Sequence, residues 1–396
     1  MSDGNPSTSL TGQPRFYGVV PVRESVTYVT SKNPVLALFT IVVLLAPSST
    51  LVFFEGSRVP SLPDVFRPGF HDLVPEGSSF VKRGIVIANG PPGSPDSVWA
   101  RDPSVLIDTG RVYRMWYRGS DGFRWRILYA TSTDGIVWNK QGTVLDSSGL
   151  IGAPFVSRED STYHLWFQDQ ADGTIRHASS VDGRSWSPPA VALAPGTSGA
   201  WDRANALTPW VVKTSPGYLM YYTGSDGSSE AIGVAASTTY TGFSALFGGP
   251  IISIGPPGSW DDSAVRFPAV FPGSLWTMYY AGRNSSVWSI GIATSSDGLN
   301  WTKAPGNPIL TPAPYPSWEN LGINGGSPLS DSGGLRFYYS GGNQSTLQIG
   351  LAVVPAAFEG FSYLSYLWII LVLAIGLPIA VIVVIFLLLP LGRRSA

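Results

Sequence analysis

Five prolines, Pro103, Pro154, Pro209, Pro268 and Pro328, open strand-like stretches, and the residues just ahead of them differ in chemistry. The pairs are Arg101-Asp102, Gly152-Ala153, Leu207-Thr208, Arg266-Phe267 and Gly326-Ser327. Trp99, Asn205 and Asn324 stand four residues ahead of their prolines. Arg101, Asp102, Asn205, Thr208, Arg266 and Asn324 supply the donors and acceptors that sugar hydroxyls require. Trp99 offers a ring on which a sugar face can stack. These residues are therefore expected to bind a carbohydrate ligand. They also admit a structural reading, in which Arg101 or Arg266 neutralises Asp102 across a channel. A second set recurs and so reads differently. Asp96, Asp202 and Asp261 stand seven residues ahead of their prolines, with Trp318-Glu319 as a shifted counterpart. Recurrence assigns them to the scaffold, as caps of backbone where one repeat crosses to the next.

The elements that position these residues follow from a repeat. An aromatic strand appears as Tyr113–Tyr117, Tyr163–Phe167, Tyr218–Tyr222, Trp276–Tyr280 and Leu335–Tyr339. A small-residue strand follows each time, at Ile127–Ala130, Ile175–Ala178, Ile232–Ala235, Ile290–Ala293 and Ile349–Ala352. A Ser-x-Asp-Gly-x-x-Trp turn closes three of the repeats, at Ser132–Trp138, Ser180–Trp186 and Ser295–Trp301. The third repeat replaces it with Thr239-Tyr240-Thr241-Gly242-Phe243. The Asp-Gly pair supplies a left-handed turn position. Three markers in one register, five times over, predict five four-stranded antiparallel blades. The fold class is thus all-β, a five-bladed β-propeller over 79–360. The fifth blade lacks an outer strand, and Phe80–Ala88 is expected to supply it and close the ring.

Composition narrows the function classes. The net charge of −1 gives no reason to expect nucleic-acid binding. The chain has no cysteine, so thiol and disulfide chemistry are excluded. His71, His164 and His177 are too few and too badly spaced for a zinc site, and no metal or cofactor is expected. No phosphate-binding loop or nucleophile elbow is present.

Two uncharged apolar segments, Val35–Phe54 and Leu367–Leu391, have the length of a bilayer span. Tyr363, Tyr366 and Trp368 mark the interface at the second. Arg15, Arg23 and Lys32 precede the first and Arg393 and Arg394 follow the second, which predicts cytoplasmic termini. The expected order is a flexible tail (1–33), a transmembrane helix or signal anchor (34–54), a linker (55–78), the propeller, a second transmembrane α-helix (364–391) and a short tail (392–396). The propeller would then sit on the extracytoplasmic side of the cell membrane. A cleaved signal peptide is the alternative for the first segment.

The run Asp102–Tyr117 with Ile127–Trp138 resembles the five-bladed propellers of glycoside hydrolase families 43 and 32, the arabinanase, levansucrase and invertase superfamily. The resemblance covers Ser79 to about Pro355. It implies that Asp102, in its Asp-Pro pair, corresponds to the general base. The positions of the family's other two carboxylates hold Phe155 and Leu207 here. Glycoside hydrolysis needs a second carboxyl group. An inverting reaction would have to draw its acid from Asp202 or Asp262. Three readings stand: a carbohydrate binder, an inverting glycosidase, and a structural or protein-interaction propeller.

Overall fold

A computed structural model describes residues 80–355, other than 109, 148–149 and 344–345. The two apolar segments, the linker and both tails lie outside the described residues. Among the described residues no helix is long and apolar enough to cross a membrane.

Among the described residues all regular structure is strand. Blade 1 is β2 (Trp99–Ile107), β3 (Tyr113–Ser120), β4 (Trp125–Ser132) and β5 (Asn139–Leu145). Blade 2 is β6 (Ile151–Glu159), β7 (Thr162–Asp169), β8 (Thr174–Ser180) and β9 (Ala190–Leu193). Blade 3 is β10 (Asn205–Lys213), β11 (Tyr218–Ser225), β12 (Glu230–Ser237) and β13 (Ser244–Ala245). Blade 4 is β14 (Ala264–Phe271), β15 (Trp276–Arg283), β16 (Trp288–Ser295) and β17 (Thr302–Lys303). Blade 5 is β18 (Gly322–Asp331), β19 (Gly334–Gly342), β20 (Leu347–Pro355) and, from the other end of the domain, β1 (Val81–Ile87). The first strands contact one another in the order β2, β6, β10, β14, β18 and back to β2. They form the innermost ring, as the repeat requires.

β1 fills the vacant outer place of blade 5 by pairing antiparallel with β20. Its register is set by chemistry as well as by hydrogen bonds. Lys82 lies opposite Ala352, as Lys140 lies opposite Ala130 and Lys303 opposite Ala293. In these three blades that lysine reaches a buried acid ahead of the inner strand. Lys140 pairs with Asp96 at 2.6 Å, Lys303 with Asp261 at 2.6 Å, and Lys82 with Glu319. A buried tyrosine of the second strand donates its hydroxyl to the same acid: Tyr117 to Asp96, Tyr280 to Asp261 and Tyr339 to Glu319. These acids therefore bind a tyrosine and a lysine within one blade. The sequence expectation of backbone caps is corrected to side-chain clamps, with a backbone donor, among the described residues, only at Glu319, from Ala313. The preceding tryptophan explains two further glycines per blade. Trp201 fills the space that a Cβ on Gly224 or Gly233 would need, and Trp260 and Trp318 do the same in blades 4 and 5.

The recurrent turn joins one blade to the one before it. Ser132 Oγ accepts from Gly135 N, and Asp134 Oδ1 accepts from Ile136 and Val137 N; blades 2 and 4 repeat this set. The amide donors hold Asp134 below the ordinary carboxylate range. The turn glycine's carbonyl accepts a bond from the centre of the preceding blade's second strand: Gly183 from Trp116, Gly298 from Tyr221 and Gly135 from Tyr338, each at 2.8 Å. In blade 3 the irregular turn keeps the bond, with Tyr240 O accepting from Trp166. The turn tryptophans pack edge-on against those same rings.

Candidate functional site at the channel mouth

Each inner strand carries a β-bulge at the same place. The bulged residue is left-handed in all five blades, with φ of 54° at Asp102, 44° at Ala153, 48° at Thr208, 56° at Phe267 and 52° at Gly325. Four of these five are not glycine, which L side chains tolerate at a cost of about 1–2 kcal/mol each. Pro103, Pro154, Pro209 and Pro268 follow the first four, and a proline has no N–H to leave unpaired in a broken ladder. In blade 5 the equivalent residue is Gly326, not Pro328, which pairs with Phe337 two residues further on. The sequence register for blade 5 is corrected by those two residues. Asn324 thereby becomes the counterpart of Arg101 and Arg266 rather than of Trp99 and Asn205.

The five bulges, with Trp210, line a cavity of about 30 Å³. That is room for a water molecule or two and far short of a sugar ring. A sugar does not fit at this level, and the side chains that the repeat does not require lie at the mouth toward the start of the inner strands.

Two rings of side chains form that mouth. Just ahead of the bulge stand Arg101, Gly152, Leu207, Arg266 and Asn324. Opposite them on the second strands are Arg118, Gln168, Thr223, Ala281 and Ser340. Side chains of the second ring reach the next blade. Ser340 Oγ accepts from Asp102 N at 2.8 Å and Thr223 Oγ1 from Phe267 N at 3.2 Å. Arg118 lies over Gly152, where a Cβ would collide with its side chain. Gly152 is thus the gap that admits this arginine.

Asp102 is 4% exposed. Its Oδ1 accepts from Arg101 Nε at 3.0 Å, and its Oδ2 lies 2.7 Å from Arg118 Nη2, close but without hydrogen-bond alignment. Burial opposes its charge, yet Arg101 and Arg118, with Arg266 beyond them, outweigh that and hold the carboxyl below its usual range. Such a carboxylate is a weak base enclosed by cations. Its evident work is to fix two guanidinium groups. Arg101 also extends Nη2 to within 3.5 Å of Asn324 Oδ1. Arg118 lies 4.3 Å over the ring of Trp125, and Trp125 is 6.3 Å from Trp99. Across the mouth Arg266 pairs with Glu230 and lies 5.6 Å over Trp288, whose ring Arg283 also approaches, at 5.8 Å.

The structure thus brings Trp99, Arg101, Asp102, Arg266 and Asn324 to one mouth. Thr208 is buried in the constriction, bonded to Thr223 at 2.6 Å. Asn205 is half-buried at the start of β10, beside Gly173 of blade 2. The two alternative acids stand apart. Asp202 is the blade 3 member of the buried clamp and accepts from Tyr222 at 2.7 Å. Asp262 accepts from Gly258 N and Ser263 Oγ within its own loop. Neither shares a hydrogen-bond or ion-pair partner with Asp102 among the described residues. Recurrence already marked Asp202 as scaffold, and its clamp gives the physical reason.

Four mouth residues escaped the sequence reading: Arg118, Trp125, Glu230 and Trp288. The signal was available. Arg118 directly follows an aromatic strand, at a position that is otherwise Gln, Thr, Ala or Ser. Trp125, Glu230 and Trp288 open third strands, at a position held elsewhere by Thr174 and Leu347. Comparing repeats at these two positions would have isolated all four. Among the described residues no group of acids and histidines could hold a metal ion.

No protein-family model matches the chain. Two uncharacterized proteins of Mycobacterium tuberculosis, from strains ATCC 25618 / H37Rv and CDC 1551 / Oshkosh, are 33% identical over 26% of this chain. The match spans 44% of their length, less than half of those relatives. Solved structures resemble the fold more widely. One belongs to work on GH130-family glycoside hydrolases that target β-1,2 mannosidic linkages in Candida mannan; its TM-score is 0.57 at 16% identity, over 71% of this chain and 96% of that one. A family 117 glycoside hydrolase from the marine bacterium Zobellia galactanivorans gives 0.55 at 15% identity, over 74% and 93%. The GH62 α-L-arabinofuranosidase catalytic domain of Coprinopsis cinerea gives 0.55 at 15% identity, over 71% and 98%. At these identities the likeness is one of fold. The described residues have the propeller-like architecture of glycoside hydrolases.

Proposed function

We propose that this chain is a carbohydrate-recognition propeller, presented on the outer side of a cell membrane by the apolar segments 34–54 and 364–391. One observation carries the recognition reading. Charged, amide and indole side chains that the repeat does not require are gathered at one mouth of a channel too narrow to admit a sugar. Arginine donors, Asn324 and Glu230 suit hydroxyl groups, and Trp99, Trp125 and Trp288 suit the apolar faces of rings. The fold likeness to glycoside hydrolases supports the same ligand class. Charge placement beside the apolar segments supports the topology.

Cleavage is a separate matter. An inverting glycosidase needs a solvent-reached base and an acid about 6.5–9.5 Å away. Asp102 is enclosed by Arg101 and Arg118, and the remaining mouth carboxylate, Glu230, is tied to Arg266. Recognition without hydrolysis fits this arrangement best. A second reading, a propeller that serves a protein partner, draws on the narrow channel and the ion-paired mouth.

A glycan array and a panel of chromogenic glycosides, probed with the full chain in detergent, separate the readings. Binding without turnover, lost in Arg101→Ala, is the expected result. Turnover lost in Asp102→Asn would restore the hydrolase reading. Silence on both panels would leave the protein-partner reading.

A further inference from the structure

The mouth carries more positive charge than its own groups neutralise. Arg101, Arg118, Arg266 and Arg283 face it, against the carboxylates of Asp102 and Glu230. Arg283 makes no ion pair among the described residues and is exposed. Further out, the hairpin arginines are satisfied locally: Arg126 by Asp121 and Asp146, Arg176 by Asp169 and Asp172, Arg203 by Asp226. The surplus is therefore confined to the centre, on the side of blades 1 and 4. The cationic centre also includes the blade 1 side of the mouth. Arg118 is 4% exposed, yet its buried Nε has no hydrogen-bond partner. Evolving a fold to crowd desolvated guanidinium groups is costly unless an anion completes them.

Resting on the carbohydrate reading above, we propose that the mouth recognises a sugar bearing an oxyanion, a ring carboxylate or phosphate, through Arg266 and Arg283, with the ring stacked at Trp288. The Arg283 guanidinium fork can match either oxyanion in bidentate fashion, which an ammonium group does not, while Arg266, whose Nε and Nη2 are held by Glu230, adds its charge. The two arginines approach the same indole, at 5.6 and 5.8 Å, so one ligand beside that ring can meet both charges. The electrostatics agree. Burial and the neighbouring Arg101 pull Arg266 down to about 10 although Asp102 supports its charge, and burial draws Arg118 down to about 9. Both remain cationic at neutral pH. Arg283 also opposes the charge of Arg266, and an oxyanion bound by these two would relieve their repulsion.

Calorimetric titration of the full chain in detergent tests this with matched pairs: oligogalacturonate against oligogalactose, glucose 6-phosphate against glucose, and inorganic phosphate alone. The charged member of one pair is expected to bind at least tenfold more tightly than its neutral partner. The winning pair identifies the oxyanion. The preference should shrink in 0.5 M NaCl and vanish in Arg283→Gln, an exposed position whose change leaves the fold intact, as circular dichroism would verify. Equal binding of charged and neutral sugars would overturn the inference and leave the carbohydrate reading standing. Binding of no sugar in either pair would overturn both. Inorganic phosphate binding as tightly as glucose 6-phosphate would overturn recognition of a sugar-borne group.

Discussion

Replacing Asp102 by Asn separates a counter-ion from a catalyst. The carboxylate side chain is 3% exposed and faces Arg118, 5% exposed, and Arg101, 15% exposed. Removing one partner of a buried ion pair costs about 3–5 kcal/mol, because the abandoned charge stays desolvated. Asparagine keeps the volume and can still accept from Arg101 Nε, so the low end applies, about 3 kcal/mol. For a domain of this size that lowers Tm by roughly 5 °C. Differential scanning calorimetry of both proteins at pH 7 measures it. The linkage has a defined sign. The folded carboxyl titrates below its ordinary value of 3.8, so its contribution is complete above that value and fades as pH falls through the folded pKa. The gap between the two proteins should therefore narrow below about pH 4. A second variant sharpens the test, since Asp102→Asn with Arg118→Met removes both charges and should recover much of the loss. An unchanged or raised Tm in the single variant would refute the counter-ion assignment. It would instead mark Asp102 as a group strained for chemistry.

Three further outcomes follow from the packing. Ala245 occupies in blade 3 the register position of Lys140 and Lys303, so Ala245→Lys should complete the clamp on Asp202 and add about 0.5–1 kcal/mol in urea unfolding; no gain would show that the clamp depends on more than register. Lys82→Met should cost about 2–3 kcal/mol by leaving Glu319, 1% exposed, without its cation, measured by the same unfolding experiment. His164 Nδ1 and His177 Nε2 lie 3.0 Å apart beneath Tyr240, and burial, with His164 beside it, lowers His177 to about 4. The unfolded chain then takes up more protons, so stability should fall as pH drops from about 6.5 toward 4, by at most about 3 kcal/mol; the slope should flatten in His177→Gln.

The five-blade architecture was legible because each marker answers to a physical demand made five times. The turn glycine must be left-handed, the aromatic strand fills the interface between blades, and the small third strand makes room for a tryptophan. The role of β1 was legible from a vacancy, and Lys82 shows that its sequence carries the outer-strand pattern. Proline was a weaker marker. It is admitted at the bulge but not required there, so blade 5 uses Gly325-Gly326 and its proline lies elsewhere. The mouth was half legible. Arg101 and Arg266 precede the bulge, Asp102 occupies it, and all three are reached by reading back from proline. Arg118 and Glu230 come from second and third strands, and only the antiparallel register places them beside the first. A second acid is not legible from distance along the chain. Asp202, close in that sense, is held by Tyr222 instead.

The central claim is that the mouth of this propeller binds a sugar. The most direct test is a crystal or cryo-electron microscopy structure of the full chain soaked with the best array ligand. The account predicts density above the constriction, against Trp288 and within hydrogen-bond reach of Arg266 and Arg283. Density on the outer blade surfaces, with the mouth arginines unvisited, would contradict it.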